Sequence, residues 1–278
     1  MKFLVTGGAG FIGSNLVQSL LDENREVICL DKNPDGNWSK GSLNYIGSIN
    51  NVKLLEDIVS NHKIDTIFHM AAEASVQVSL SDPILTMRTN ALGTNKVLDV
   101  AKRFGVRKFV MSSTCAVYDG NTSPYALSKN IAEQMCEYYS KDLSVNVLRY
   151  FNVYGKGHRV AGPYPPVVAI FIDRYNRNLP LEIVGTGEQR RDFVNVDDVV
   201  RANKMIADSD LGYGVYDVGS GVNHSVKQIA NMISEDHVHI EERQGEVFST
   251  LSSIEKIKND LKWSPTISVE DWISEQIG

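Results

Sequence analysis

The order of the first 31 residues narrows the fold more than any other feature of the chain. Lys2-Phe3-Leu4-Val5 is a short apolar run that leads into Thr6-Gly7-Gly8-Ala9-Gly10-Phe11-Ile12-Gly13. A helical pattern follows, then a second apolar run, Val27-Ile28-Cys29-Leu30, which stops at Asp31. Strand, glycine turn, helix, strand and terminal acid are the context in which a glycine motif predicts a dinucleotide site. Gly7 permits the tight turn, Gly10 lets backbone approach a pyrophosphate, and Gly13 lets helix and strand pack closely. The N–H groups and positive dipole end of a helix starting near Phe11 then face the phosphates. Asp31 can accept two hydrogen bonds from the adenosine ribose hydroxyls and would repel a 2′-phosphate. NAD is therefore favoured over NADP, an inference that Lys32 next door weakens slightly.

The remaining pattern alternates. A strand is predicted over Tyr45–Ile49, a helix over Val52–Asn61, and a buried strand from Asp65 into the small residues Ala71 and Ala72. Pro83 opens a helix that Gly105 ends, Val106–Ser113 is a strand, Tyr125–Lys141 a helix, and Val145–Tyr154 a strand. This alternation predicts an α/β, Rossmann-type, doubly wound parallel sheet. Beyond Gly155 the pattern loosens. Gly162 to Pro166 is a turn-rich break, and a helix at Val168–Asn176 and strands at Leu181–Val184 and Arg191–Val196 follow. Asp197 and Asp198 are placed to cap a helix through Ile206. Val215–Val218 is a strand, and a helix opens at Ser225. This part reads as a smaller α+β substrate-binding lobe. The expected division is residues 1–155 with about 190–219 as a dinucleotide domain, and 156–189 with 220–278 as an interleaved lobe.

A length of 278 residues, 42% hydrophobic content and a net charge of −6 describe a soluble globular protein. The acidic balance opposes a nucleic-acid or anionic-membrane surface. No apolar run reaches membrane-spanning length, and Met1 leads straight into a strand, so no signal peptide is expected and a cytoplasmic location follows. Cys29, Cys115 and Cys136 read as reduced core thiols, and the six histidines show no metal-ligand spacing.

Ligands in open parallel sheets bind at the carboxyl ends of the strands. Ser112-Ser113-Thr114 closes one strand, Arg149-Tyr150-Phe151-Asn152 lies on the next, and Tyr125 and Lys129 stand one helical turn apart between them. A tyrosine of ordinary pKa, about 10, is a poor base at neutral pH. An ammonium one turn away, with an oxidised nicotinamide nearby, stabilises the phenolate. With Thr114 holding the same substrate oxygen, proton loss to Tyr125 accompanies hydride loss to the cofactor, which is alcohol oxidation.

These residues resemble the extended short-chain dehydrogenase/reductases, and within them the NAD-dependent nucleotide-sugar epimerase/dehydratase family. The likeness runs through Thr6–Gly13, Asp31, His69–Ala72, Asn90 with Gly93-Thr94, Ser112–Tyr118, Ser123–Lys129, Arg149–Gly155, Arg191-Asp192-Phe193 and Asp197-Asp198-Val199. It implies that Tyr125 is the base, Lys129 its ribose and pKa partner, and Thr114 the hydroxyl that polarises the sugar oxygen. It implies cofactor contacts at Gly7, Gly10, Phe11, Ile12, Gly13, Asp31, Lys32, Ser48, Ile49, Met70, Ala71, Ala72, Asn90, Ser112 and Tyr150. Asn152, Arg191 and Arg243 match positions that hold the nucleotide diphosphate, while Arg190 reads as a rim residue. Thr250 matches a position that tunes space around the sugar 2-substituent, leaving a UDP-hexose and a UDP-N-acetylhexosamine both open.

In the family, dehydratases place acids directly after the hydroxyl residue, and UDP-glucuronate decarboxylases keep at least one glutamate there. Here those positions are Cys115 and Ala116. Without an acid to drive elimination, a 4-keto sugar takes the hydride back, and a turned ring returns it to the other face. The resemblance so implies a UDP-sugar 4-epimerase. A dehydratase, a reductase or synthase, and an NAD-binding regulatory protein remain the alternatives. Departures from the family pattern are Ser48 where an adenine-contacting acid is usual and a short loop between Tyr118 and Tyr125. A homodimer is expected through the helices Pro83–Phe104 and Tyr125–Lys141, with Met87, Leu98, Met135, Tyr138 and Tyr139 supplying apolar surface.

Overall fold

The computed structural model of the chain describes every residue except 121, 159, 161–164 and 242–247. Twelve strands are assigned among the described residues. They are β1 (Lys2–Thr6), β2 (Glu26–Asp31), β3 (Leu43–Ile46), β4 (Thr66–His69), β5 (Lys108–Thr114), β6 (Ser144–Tyr150), β7 (Asn152–Tyr154), β8 (Leu181–Val184), β9 (Arg190–Asn195), β10 (Gly214–Val218), β11 (Asn223–Ser225) and β12 (His237–Ile240). Seven of them form one sheet in the order β10-β6-β5-β4-β1-β2-β3. β1 pairs in parallel with β2 and β4, β2 with β3, and β4 with β5. The parallel, helix-flanked α/β sheet predicted from the alternation is present, and its strands are apolar runs because helices cover both faces.

The chain divides into two compact units, one of residues 1–149 with 200–216, the other of 150–199 with 217–278. The second unit begins at Tyr150 and takes in 190–199, a stretch the sequence placed with the first. Local pairing is the reason. β9 lies between β7 and β11 in a three-stranded sheet of its own. The first unit packs around Leu4, Ile28, Ile67, Leu98, Phe109 and Val147. The second packs around Tyr154, Phe171, Leu181, Phe193, Ile229 and Ile273.

Several local expectations shift. Val145–Tyr154 is two strands, because β6 ends at Tyr150 and β7 pairs with β9. β3 ends at Ile46, where Gly47 donates to the Asp31 carbonyl and the chain turns through Ser48. The helix opened by Pro83 contains a π-helical stretch, Arg88–Gly93, before it continues over Thr94–Arg103. A short helix, Val76–Ser81, capped by Ser75, escaped the sequence reading.

Asp198 reaches beyond its own helix, Val196–Asp208. Its buried carboxylate accepts from the Thr266 and Ile267 amides and the Thr266 hydroxyl. Of the predicted dimer surface, Leu98 is in the core, Met135 and Tyr139 pack partly against it, and Tyr138 is exposed. Cys115 is half-buried rather than a core thiol, while Cys29 and Cys136 are buried. Among the described residues no helix is long and apolar enough to cross a membrane. The predicted break at 162–164 lies outside the described residues.

Candidate active site

The carboxyl ends of β1, β2, β4 and β5 carry the first unit's candidates. Gly7 follows β1 with φ +70°, and a Cβ there would stand 2.6 Å from the Ala71 amide nitrogen. A Cβ on Gly13 would strike the Gly7 carbonyl. The helix Phe11–Asp22 begins after Gly10 with no side-chain cap and no acid in its first turn. The Asp31 carboxylate overhangs this turn, accepting from the Ala9 amide at 3.1 Å and the Asn33 amide at 2.9 Å. Lys32, 60% exposed, stands 3.9 Å from the Glu73 carboxylate. Close-packed glycine backbone, an uncapped helix start and an acid at the end of β2 fit a dinucleotide's pyrophosphate and adenosine ribose.

The other cofactor candidates divide by what their side chains do. Phe11 and Ile12 open the helix and are half-buried, and Met70, Ala71 and Ala72 follow β4. The Ile49 side chain lies in the core against Gly93, leaving only its backbone for a ligand. Ser48 accepts the Asn50 amide on its hydroxyl. Asn90 is fully buried. Its amide accepts from the Glu73 N–H at 2.8 Å and donates to the Glu73 carbonyl and the Ser128 hydroxyl, each at 2.9 Å. Asn90 thus positions its neighbours. Tyr150, at the end of β6, is buried.

A polar chain that sequence reasoning missed runs beneath these residues. His69 Nδ1 lies 2.8 Å from Thr6 Oγ1, and Nε2 lies 2.9 Å from Thr94 Oγ1. The Thr94 hydroxyl donates to the Asn90 carbonyl, so it must accept from Nε2–H, and Nδ1 is left to accept the Thr6 hydroxyl. Such a tautomer requires a neutral ring. Burial, and then the Lys129 ammonium, push the His69 pKa down to about 3. Through Asn90 and Ser128, whose hydroxyl donates to the Tyr125 carbonyl, the chain connects the glycine turn to the catalytic helix. Its signal in the sequence was the set of polar residues in apolar company at Thr6, His69 and Thr94.

The predicted catalytic residues all lie in the first unit. Thr114 ends β5, with its hydroxyl accepting the Ala116 amide. Ser123 caps the helix Pro124–Tyr139, which carries Tyr125 and Lys129 one turn apart on its buried side. Lys129 Nζ donates to the Ser112 carbonyl at 2.8 Å, and the Ser112 hydroxyl donates to the His69 carbonyl at 3.0 Å. Burial pulls the Lys129 pKa down to about 8, against the attraction of Glu133. An ammonium so placed can stabilise a phenolate and bond a ribose hydroxyl.

In the second unit, Asn152 donates to the Asp192 carbonyl at 2.9 Å and approaches the Thr250 hydroxyl at 3.5 Å. The half-buried Arg191 donates to its neighbour's carbonyl at 2.9 Å. Arg190 is held by Asn223 through two bonds of 2.8 and 2.7 Å, a structural tie rather than a loose rim position. Arg243 lies outside the described residues.

Comparison with known proteins identifies the family. The sequence profile of the NAD dependent epimerase/dehydratase family matches residues 3–219. The crystal structure of UDP-glucose 4-epimerase from Thermotoga maritima, with UDP-glucose, superposes with a TM-score of 0.94 at 34% identity, covering 100% of this chain and 97% of that one. A putative UDP-glucose 4-epimerase of Methanocaldococcus jannaschii is 32% identical across 99% of this chain and 96% of its own length. UDP-glucuronic acid decarboxylase 1 of Xenopus tropicalis is 30% identical across 99% of this chain and 71% of its own. The similar proteins therefore include both epimerases and decarboxylases, the family is NAD dependent, and two further similar structures, MoeE5 and the Thermus thermophilus UDP-glucose 4-epimerase, are complexes with NAD. With its glycine turn, its Tyr-x-x-x-Lys helix and this likeness over nearly its whole length, the chain belongs to the NAD-dependent epimerase/dehydratase family of the extended short-chain dehydrogenase/reductases.

Proposed function

We propose that the chain is a UDP-sugar 4-epimerase. The observation that carries this reading is the turn after Thr114, where Cys115 and Ala116 stand and no carboxyl follows the hydroxyl residue directly. Thr114 would hold the sugar 4-hydroxyl, Tyr125 would take its proton, and Lys129 would keep the phenolate stabilised. The chemistry supplied by bound NAD is acceptance of the carbon-4 hydrogen as hydride and its later return. The residues at Gly7–Gly13, Asp31, Met70–Ala72 and Ser112 would hold that cofactor, with Asn90 fixing the Glu73 backbone next to Ala72. Asn152, Arg191 and Arg243 would hold the nucleotide diphosphate, arginine forks suiting phosphate oxygens. Thr250 would border the sugar. With no acid after Thr114 to drive elimination, the 4-keto sugar would take back the proton from Tyr125 together with the hydride.

The reading extends to assembly. Ile84, Leu92 and Tyr138 are 70%, 59% and 63% exposed on the helical segments Pro83–Met87, Arg88–Gly93 and Pro124–Tyr139. Exposed apolar side chains on these helices suit a helix-to-helix homodimer. A cytoplasmic, dimeric enzyme acting on a UDP-linked sugar is the whole of the proposal.

Incubation with UDP-glucose, UDP-galactose, their N-acetyl forms and UDP-glucuronate, followed by separation of products, tests it. A 4-epimer is expected from at least one. Absence of any 4-epimer overturns the reading, and release of carbon dioxide from UDP-glucuronate would replace it with decarboxylation.

A further inference from the structure

Glu133 lies one helical turn beyond Lys129 and two beyond Tyr125. Base, ammonium and carboxylate thus share one stripe of the helix Pro124–Tyr139. The Glu133 side chain is only 7% exposed. Arg149 grips it with Nε at 3.0 and 3.2 Å from the two oxygens and Nη2 at 2.6 Å from Oε2. Ser113, the neighbour of Thr114, donates its hydroxyl to Oε1. On its other side the Arg149 guanidinium lies 4.7 Å from the centre of the Tyr118 ring, in the turn that follows Thr114. The ion pair so joins the catalytic helix to both sides of Thr114.

The surroundings of Lys129 single out this carboxylate. From β4 it meets His69, which is neutral. β5 presents only the Ser112 carbonyl as a hydrogen-bond partner. On its own helix, Cys136 is a neutral thiol, because burial pushes its pKa well up. Arg149, on β6, is tied to Glu133, and Tyr213, near the same carboxylate, is pushed up to about 12 by burial and stays neutral. Among the described residues, Glu133 is the carboxylate acting on the buried ammonium.

We propose that Glu133 is a positioning residue for Lys129, its charge sustaining the buried ammonium while Arg149 limits how much of that charge the lysine feels. The proposal rests on the reading that Lys129 serves Tyr125. It carries a signature that a purely structural ion pair lacks, since loss of the two partners acts on Lys129 in opposite senses. Without Glu133 the ammonium gives up its proton at lower pH. Without Arg149 the carboxylate is unshielded, and the ammonium holds its proton to higher pH.

The test uses the full chain loaded with NAD and carrying 13C-labelled lysine. The Lys129 Cε resonance is assigned by its disappearance in Lys129→Met and followed against pH. Glu133→Gln should lower its titration midpoint by about one pH unit. Arg149→Gln should raise it, and Glu133→Asp should restore the wild-type value. Should Glu133→Gln not fold, the double variant Glu133→Gln/Arg149→Gln removes the pair together and should still titrate below wild type. Midpoints that move in the same direction, or not at all, overturn the proposal. No substrate enters this titration, so it stays decisive even if no UDP-sugar is turned over. Where turnover is observed, the alkaline limit of kcat should move with the midpoint.

Discussion

Each unit of the chain buries a carboxylate beside its candidate site, and the two are held by different means. Glu133, in the first unit, is gripped by a guanidinium and one hydroxyl. Asp192, in the second, is fully buried and forms no ion pair among the described residues. It accepts from the amides of Ser220, Gly221 and Ser252 and from the hydroxyls of Ser220 and Ser252, at 2.6–3.1 Å. Five neutral donors hold a carboxylate by ordering backbone, which makes Asp192 a staple for the turns around Thr250. A cation holds it by compensating its charge, so that a neighbouring group feels only part of that charge. The first unit therefore fixes its carboxylate with an opposite charge, and the second with ordered backbone.

Four outcomes would break or sharpen that contrast. The largest effect belongs to Tyr125→Phe, which should lower kcat by about 10²–10⁴-fold while NAD stays bound, read by product formation and by cofactor content after desalting. A variant with full turnover would remove Tyr125 as the base. Next comes Asp192→Asn, which presents an amide N–H₂ to a ring of donors. It should cost about 3–5 kcal/mol in a urea melt. A loss no larger than that of a surface substitution would mean that the turns do not depend on the staple.

The third outcome concerns pH. His69 has a native pKa of about 3 against an unfolded value of 6.5, so the unfolded chain binds the extra proton as pH falls between them. The stabilisation is complete above 6.5 and is lost downward through that window, at about 1.4 kcal/mol per pH unit. Urea midpoints between pH 7 and 4 should fall accordingly, and His69→Gln, which cannot titrate, should flatten the slope. An unchanged slope would locate the acid sensitivity elsewhere. The smallest effect is expected for Thr250→Val. Among the described residues its hydroxyl makes only long contacts, 3.5 Å to Asn152 and 3.4 Å from the Asp192 amide. Stability should change by less than about 1 kcal/mol, while the ratio of turnover with UDP-glucose to that with its N-acetyl form should shift. An unaltered ratio would take Thr250 away from the sugar.

What was legible in the sequence was local. The glycine turn, Asp31 at the end of β2, Thr114 at the end of β5, and Tyr125 with Lys129 on one face all depend on strand ends and a helical repeat. Those are set by neighbours a few residues apart, and they were sufficient for the Rossmann-type sheet and the dinucleotide reading. A helix start was legible at Ser225, where a serine stands before the run, and missed at Ser75, while the carboxylate of Asp198 holds a distant loop. An acid in a first turn looks the same in sequence whether it caps its own helix or binds a distant loop.

The tertiary structure decided how the buried polar groups are paired. Thr6 and His69, His69 and Thr94, Glu133 and Arg149, and Asp192 and Ser252 are 63, 25, 16 and 60 residues apart. No period or spacing announces such pairs, because each exists only where two elements bring complementary groups into a place without water. The sequence by itself determined which chemistry the chain carries, in the glycine turn and the tyrosine–lysine helix. Only the fold decided the charge that chemistry is tuned by, since the proton affinity of Lys129 follows from what is packed around it.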